Sequence, residues 1–156
     1  MGNNSSKTGE VYYDLSDVKY PHGKRKPYRF KTNAELRKAV LEYDNPKTHY
    51  LAVVTYGNIS NWDVSRIDDF TGIFRDVDCS SDISRWNVHK AYTMDSMFKN
   101  STFNGDISKW DVSNVEIADH MFENSSFNGD ISEWDFGSLV SSVDICKNSH
   151  FTWCDN

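Results

Sequence analysis

Residues 105–114 read GDISKWDVSN and residues 129–138 read GDISEWDFGS. The same block stands, with substitutions, at 57–66 (GNISNWDVSR) and 81–90 (SDISRWNVHK), so that Trp62, Trp86, Trp110 and Trp134 recur every 24 residues. A fixed period of this length marks a repeat array, in which each unit buries its apolar face against the next. The expected fold class is therefore an α/β repeat solenoid of short strands and short helical turns. Such arrays offer extended surfaces, so binding is expected before catalysis.

Each copy follows one plan. Ile59, Ile83, Ile107 and Ile131 lie three residues before the Trp, in an expected short strand. Phe70, Ile73, Phe74, then Met94, Met97, Phe98, then Ala118, Met121, Phe122 fall at i, i+3, i+4, the spacing of a turn or two of helix. Asn100, Asn124 and Asn148 mark a turn, after which Phe103, Phe127 and Phe151 return the chain to the core, with Cys79 in the equivalent place of the first copy. Phe151 with Trp153 is expected to close the C-terminal end.

Outward from the repeats, Thr32–Tyr43 is the clearest helix. Thr32 and Glu35 form a capping-box pattern, Leu36, Ala39, Val40 and Tyr43 share one face, and Asp44-Asn45-Pro46 ends it. Residues 50–56 are apolar and β-branched, a strand or a second short helix. This region is expected to be an N-terminal helical cap on the array. The organisation reads as an irregular basic N-terminal arm (1–31), capping helix and lead-in (32–56), four repeats (57–152) and a C-terminal end (153–156).

Charge divides along the same line. Residues 1–55 carry 10 Lys/Arg against 6 Asp/Glu, a net of +4, and residues 56–156 carry 7 against 17, a net of −10. An acidic array argues against nucleic acid as its partner. The arm sets Lys24, Arg25, Lys26 and Arg29 among Tyr20, Tyr28 and Phe30, a mix suited to an acidic surface or to lying against the acidic array. No apolar run spans a membrane and the first 30 residues lack a signal core; the expected location is a virion or host cytoplasm. Gly2 with Ser6 matches a myristoylation pattern, so membrane contact is expected only if Gly2 carries that lipid. Three cysteines, Cys79, Cys146 and Cys154, make no paired framework and are expected as reduced thiols, Cys79 and Cys146 as packing residues.

Positions that repeat build the array, and positions that vary are free to recognise. Asn61, Arg85, Lys109 and Glu133, each before a Trp, and Arg66, Lys90 and Asn114, each four residues after one, are the candidate partner-binding residues. Asp63, Asn87, Asp111 and Asp135 are expected to accept backbone N–H groups in turns, and Ser60, Ser84, Ser108 and Ser132 to form a hydroxyl ladder. Asn104, Asp106, Asn128 and Asp130 raise calcium as an alternative, against which the low glycine density counts. No cofactor or metal is expected. The five histidines show no metal-ligand spacing, and no phosphate loop or nucleophile elbow is present. An enzyme built on the variable loops would need a pocket where histidine and carboxylates converge.

The block D-I-S-x-W-D-V-S-x-V, the later M-F, and the closing F-N-G-D-I-S resemble the BspA-like leucine-rich-repeat surface-protein family, whose repeat also occurs in mycoplasma lipoproteins. The resemblance implies a leucine-rich-repeat-like solenoid and a role in adhesion or protein–protein binding. The expected function is a non-enzymatic protein-interaction scaffold, part of a larger assembly such as a virus particle. The alternatives are a viral or phage effector that blocks a host protein, and a cell-surface adhesion module.

Overall fold

A computed structural model describes residues 26–149 and 151. Helix α1 spans Asn33–Asp44 and helix α2 His49–Tyr56. Thr32 caps α1 as its hydroxyl accepts the Glu35 N–H, while the Glu35 carboxylate reaches back to the N–H of Lys31. Leu36, Ala39 and Val40 face the core. The apolar 50–56 segment is helical rather than extended, and α2 ends where Gly57 adopts φ +80°.

From Ile59 onward the expected α/β repeat solenoid is not what the chain forms. Among the described residues there is no strand and no helix beyond α2 except the single 3₁₀ turn Ile59–Asn61. Pairing of strand type is confined to isolated parallel bridges, Asp69 to Thr93, Thr93 to Ile117 and Ile117 to Ser141, with one more between Arg29 and Asp63. The expected strands at the isoleucines are turns, because the N–H of each Trp bonds the carbonyl three residues back: Trp62 to Ile59, Trp86 to Ile83, Trp110 to Ile107, Trp134 to Ile131.

The expected helical turns fail for a different reason. Gly72, Ser96, His120 and Asp144 all have positive φ, and so do Asp76, Asn100, Asn124 and Asn148 four residues later. A left-handed residue every four positions breaks a right-handed helix into successive turns. Alternate N–H groups then point out of the coil. Those of Phe70, Gly72, Phe74 and Asp76 donate to the carbonyls of Thr93, Asp95, Met97 and Lys99 at 2.8–2.9 Å. The next two coil junctions repeat this, ending with Ala118, His120, Phe122 and Asn124 on Ser141, Val143, Ile145 and Lys147. The 24-residue coils are thus joined by a ladder of backbone hydrogen bonds between turns.

Side chains continue the stacking. Phe74, Phe98 and Phe122 lie in a column with ring centroids 5.4 and 5.6 Å apart, within 5° of parallel. Phe103 stacks on Phe127, and Trp110 on Trp134. Each indole N–H also reaches back one coil. Trp86 donates to the carbonyl of Ile59, Trp110 to Ile83 and Trp134 to Ile107. Trp62, with no repeat before it, donates to Gly57 in its own coil. The buried hydroxyls of Ser101 and Ser125 donate to the carbonyls of Val77 and Ser101 and accept the N–H groups of Phe103 and Phe127. A Cβ on Gly129 would stand 2.6 Å from the Phe127 ring and one on Gly105 2.8 Å from Phe103. The second copy opens with a serine there, Ser81, where the preceding ring is replaced by Cys79.

Helix α1 closes the first coil. The Asn33 amide donates to the carbonyls of Asp69 and Thr71, and the Arg37 guanidinium to those of Ile73 and Arg75. These four carbonyls are the ones that, in later coils, accept from the preceding coil.

Candidate partner-binding face

The buried side of each coil repeats and the outward side varies. Asn61, Arg85, Lys109 and Glu133 are all exposed, while the Trp that follows each is buried. The Arg85 guanidinium donates to the Asn61 side-chain oxygen at 2.9 Å, joining neighbouring coils. Arg66, Lys90 and Asn114 are likewise exposed, and the Asn114 amide donates to the carbonyl of His89. Among the described residues the side chains of Arg66, Lys90, Lys109 and Glu133 make no hydrogen bond or ion pair.

A column that the sequence reading passed over lies two residues after Arg66, Lys90 and Asn114. It comprises Asp68, Tyr92, Glu116 and Val140, all exposed. Its register is secured by the backbone, since Tyr92 N–H bonds Asp68 O, Glu116 N–H bonds Tyr92 O and Val140 N–H bonds Glu116 O, at 2.8–2.9 Å. Tyr92 is 46% and Val140 81% exposed, although neighbouring apolar residues of the coils are buried. Their signal in the sequence is the 24-residue register of positions 68, 92, 116 and 140.

The arm residues divide differently. Arg29 pairs with the carboxylate of Asp63, so it lies against the repeats. Burial alone would raise the Asp63 carboxyl, but the Ser65 hydroxyl and Arg29 outweigh it and hold it below its usual range. Lys26 is exposed. Lys24, Arg25 and Gly2 lie outside the described residues, as do Trp153 and the rest of the C-terminal end.

The acidic residues are largely used within their own turns. Asp63, Asn87, Asp111 and Asp135 accept the N–H of the residue two positions on, as their residue types suggest. Asn58, Asp82, Asp106 and Asp130 do the same for Ser60, Ser84, Ser108 and Ser132. Those serines therefore serve local turns, and the expected hydroxyl ladder is absent. The working ladder is instead the amide column in which Asn124 donates to Asn100 and Asn100 to Asp76. The Glu123 carboxylate sits 2.6 Å from Lys99 of the previous coil, a contact that holds it in the charged form. Nδ1 of His120 approaches the same carboxylate to 2.8 Å without hydrogen-bond geometry.

Histidine and carboxylates do converge at one cleft, lined by Asp44, His49, Asp78, Cys79 and Ser81, with a volume of about 150 Å³. Small-molecule sites usually occupy about 300–1,000 Å³. His49 spends Nδ1 on the carbonyl of Tyr43, and burial raises the Cys79 thiol away from the reactive thiolate. Among the described residues no group of three or more His, Cys, Asp or Glu is placed to hold a metal ion, and no helix is long and apolar enough to cross a membrane. Cys79 is a free buried thiol, whereas Cys146 is disulfide-bonded, which corrects the expectation of a reduced thiol there.

Residues 45–152 match the family described as "Mycoplasma protein of unknown function, DUF285". No curated protein and no solved structure matches the chain.

Proposed function

We infer, for a chain that belongs to the mycoplasma-type repeat family DUF285, that it is a non-enzymatic protein-binding module. The observation that carries this reading is the exposed, in-register variation over a repeating core. Arg66-Lys90-Asn114 and Asp68-Tyr92-Glu116-Val140 run as adjacent columns, and Asn61-Arg85-Lys109-Glu133 forms a further row. The contacts within the stack use the repeated side chains and leave most of these free.

Within that reading, a surface-adhesion role of the BspA-like kind is favoured over the virion and host-effector settings, for which the family match offers no support. The test is capture by the immobilised chain from extracellular matrix extract and, separately, from cytosol. Saturable binding of a matrix protein at fixed stoichiometry is the expected result. A partner recovered only from cytosol would overturn the adhesion reading, and none from either source would overturn the binding reading.

A further inference from the structure

The repeat departs from itself at one junction. Residues 102–105 read TFNG and residues 126–129 read SFNG, but residues 78–81 read DCSS. Phe103 and Phe127 are fully buried, and Gly105 and Gly129 leave room for their rings. With Cys79 and Ser81 in those places, the first coil has lost both members of the pair. The cleft described above lies at this departure. Residues 77–81 supply part of its lining, and Val40, Tyr43, Asp44 and His49 of the two helices most of the rest. Its chemistry is one-sided, since no Lys or Arg lines it. The carboxylates of Asp44 and Asp78, both exposed, make no hydrogen bond or ion pair among the described residues. Burial, then the charge of Asp78, raises the Asp44 carboxyl, and Arg37 counters this without reversing it. The Arg37 terminal nitrogens are committed to the carbonyls of Ile73 and Arg75. Nδ1 of His49 meets the carbonyl of Tyr43, which can only accept, so Nδ1 carries the proton and Nε2 of the neutral ring is left an acceptor.

We propose that this cleft takes one lysine side chain of a protein partner, its ammonium toward Asp44 and Asp78 and its methylenes along Val40 and Val77. The charge fits, because two carboxylates near each other without a cation repel, and a cation relieves that repulsion. The donors fit, because an ammonium brings three N–H groups and no acceptor to a site that offers two carboxylates and one imidazole nitrogen. The size fits as well. A volume of about 150 Å³ holds about five groups as large as a water, and a lysine side chain is a row of four methylenes and an ammonium. Val40, Ile59 and Val77 supply the apolar part of the lining that such a stem requires. The cleft uses none of the residues of the exposed rows, so its failure would leave the binding reading above intact.

The probe is the capped tripeptide acetyl-Gly-Lys-Gly-amide, titrated into the full chain with amide NMR shifts read residue by residue. Saturable shifts in the millimolar range are expected at Asp44, His49 and residues 77–81. The same peptide with norleucine, which replaces the ammonium by a methyl group, is expected to cause none. Asp78→Asn is expected to weaken binding about tenfold or more, as for loss of a hydrogen bond to a charged group. The double variant C79F/S81G restores the ring and glycine of the later coils, fills the cleft and is expected to abolish binding. Should that variant fail to fold, Asp78→Asn, at an exposed side chain, carries the test alone. Absence of shifts at these amides, equal binding of the norleucine peptide, or undiminished binding in Asp78→Asn overturns the proposal. Calcium chloride moving the same amides more strongly than the lysine peptide would assign the carboxylates to a metal ion and overturn it as well.

Discussion

Nη1 of Arg37 donates to the carbonyl of Ile73 at 2.9 Å, where in each later coil the equivalent oxygen accepts a backbone N–H from the preceding coil. A helix side chain thus substitutes for the coil that would otherwise precede the first repeat. Nη2 does the same at Arg75. Arg37→Met keeps most of the aliphatic stem and removes both bonds. It is expected to cost about 1–2 kcal/mol in urea unfolding, at roughly the usual net value per hydrogen bond. A variant as stable as the parent would show that the helix caps by packing alone.

Trp110 both stacks on Trp134 and donates to the buried carbonyl of Ile83. Trp110→Phe retains an aromatic face and leaves that carbonyl without its partner, an expected loss of about 1–3 kcal/mol. Trp62→Phe is the internal comparison, because its donation to Gly57 stays within one coil. The account predicts that Trp110 costs more in equilibrium unfolding, and an equal or reversed order would contradict the inter-coil role.

Asn124 has φ 53° and donates to the Asn100 side chain at 3.0 Å. Asn124→Gly relieves the backbone but loses the amide bond, whereas Asn124→Ala loses the bond and keeps a Cβ in the left-handed region. The alanine variant should melt lower than the glycine variant, by about 1–2 kcal/mol, the usual cost of a left-handed residue with a Cβ. Equal melting would mean that the left-handed backbone is not a constraint at this position.

Acid should loosen the stack. The Ser84 hydroxyl and N–H hold the Asp82 carboxyl below its usual range, and the N–H and hydroxyl of Ser108 and of Ser132 do so for Asp106 and Asp130. A carboxyl whose folded-state pKa is depressed contributes stability above its unfolded value, and that contribution is lost as pH falls through the folded value. Melting temperature should therefore decline once pH drops below the ordinary aspartate range, about 3.9. Asp44 runs the other way. Burial, then the nearby Asp78, raises its pKa. Its contribution is present below the unfolded value and lost as pH rises through the folded one. Asp44→Asn is expected to raise the melting temperature at pH 7 and to leave it unchanged at pH 3, and the reverse pattern would contradict the sign.

The repeat and its buried set were legible because a 24-residue period places Trp, Ile and Phe in register, and stacked units bury what they repeat. Helix α1 was legible from Thr32, Glu35 and the spacing of its apolar face. The form of the coils was not. Apolar residues at i, i+3, i+4 suit a helix, but they equally suit successive turns, and only the left-handed backbone at Gly72, Ser96, His120 and Asp144 separates the two. Of these only Gly72 announces itself by residue type. The serines before each Trp misled because a repeated hydroxyl suggests a ladder, whereas the acceptor lies two residues back in the same copy. Ser101 and Ser125 carry the inter-coil role instead, and a polar residue between apolar neighbours was their only signal. Tyr92 and Val140 have no such signal in residue type, because an apolar residue in a repeat suggests the core and these face outward.

The most direct test of the protein-binding reading is the affinity of a captured partner for the parent chain and for R85E/K109E, with both melting curves recorded. Arg85 and Lys109 are exposed, so melting should hardly move. The account predicts at least a tenfold loss of affinity at an unchanged melting temperature. Undiminished affinity in that folded variant would place the contact elsewhere and contradict the assignment of this row.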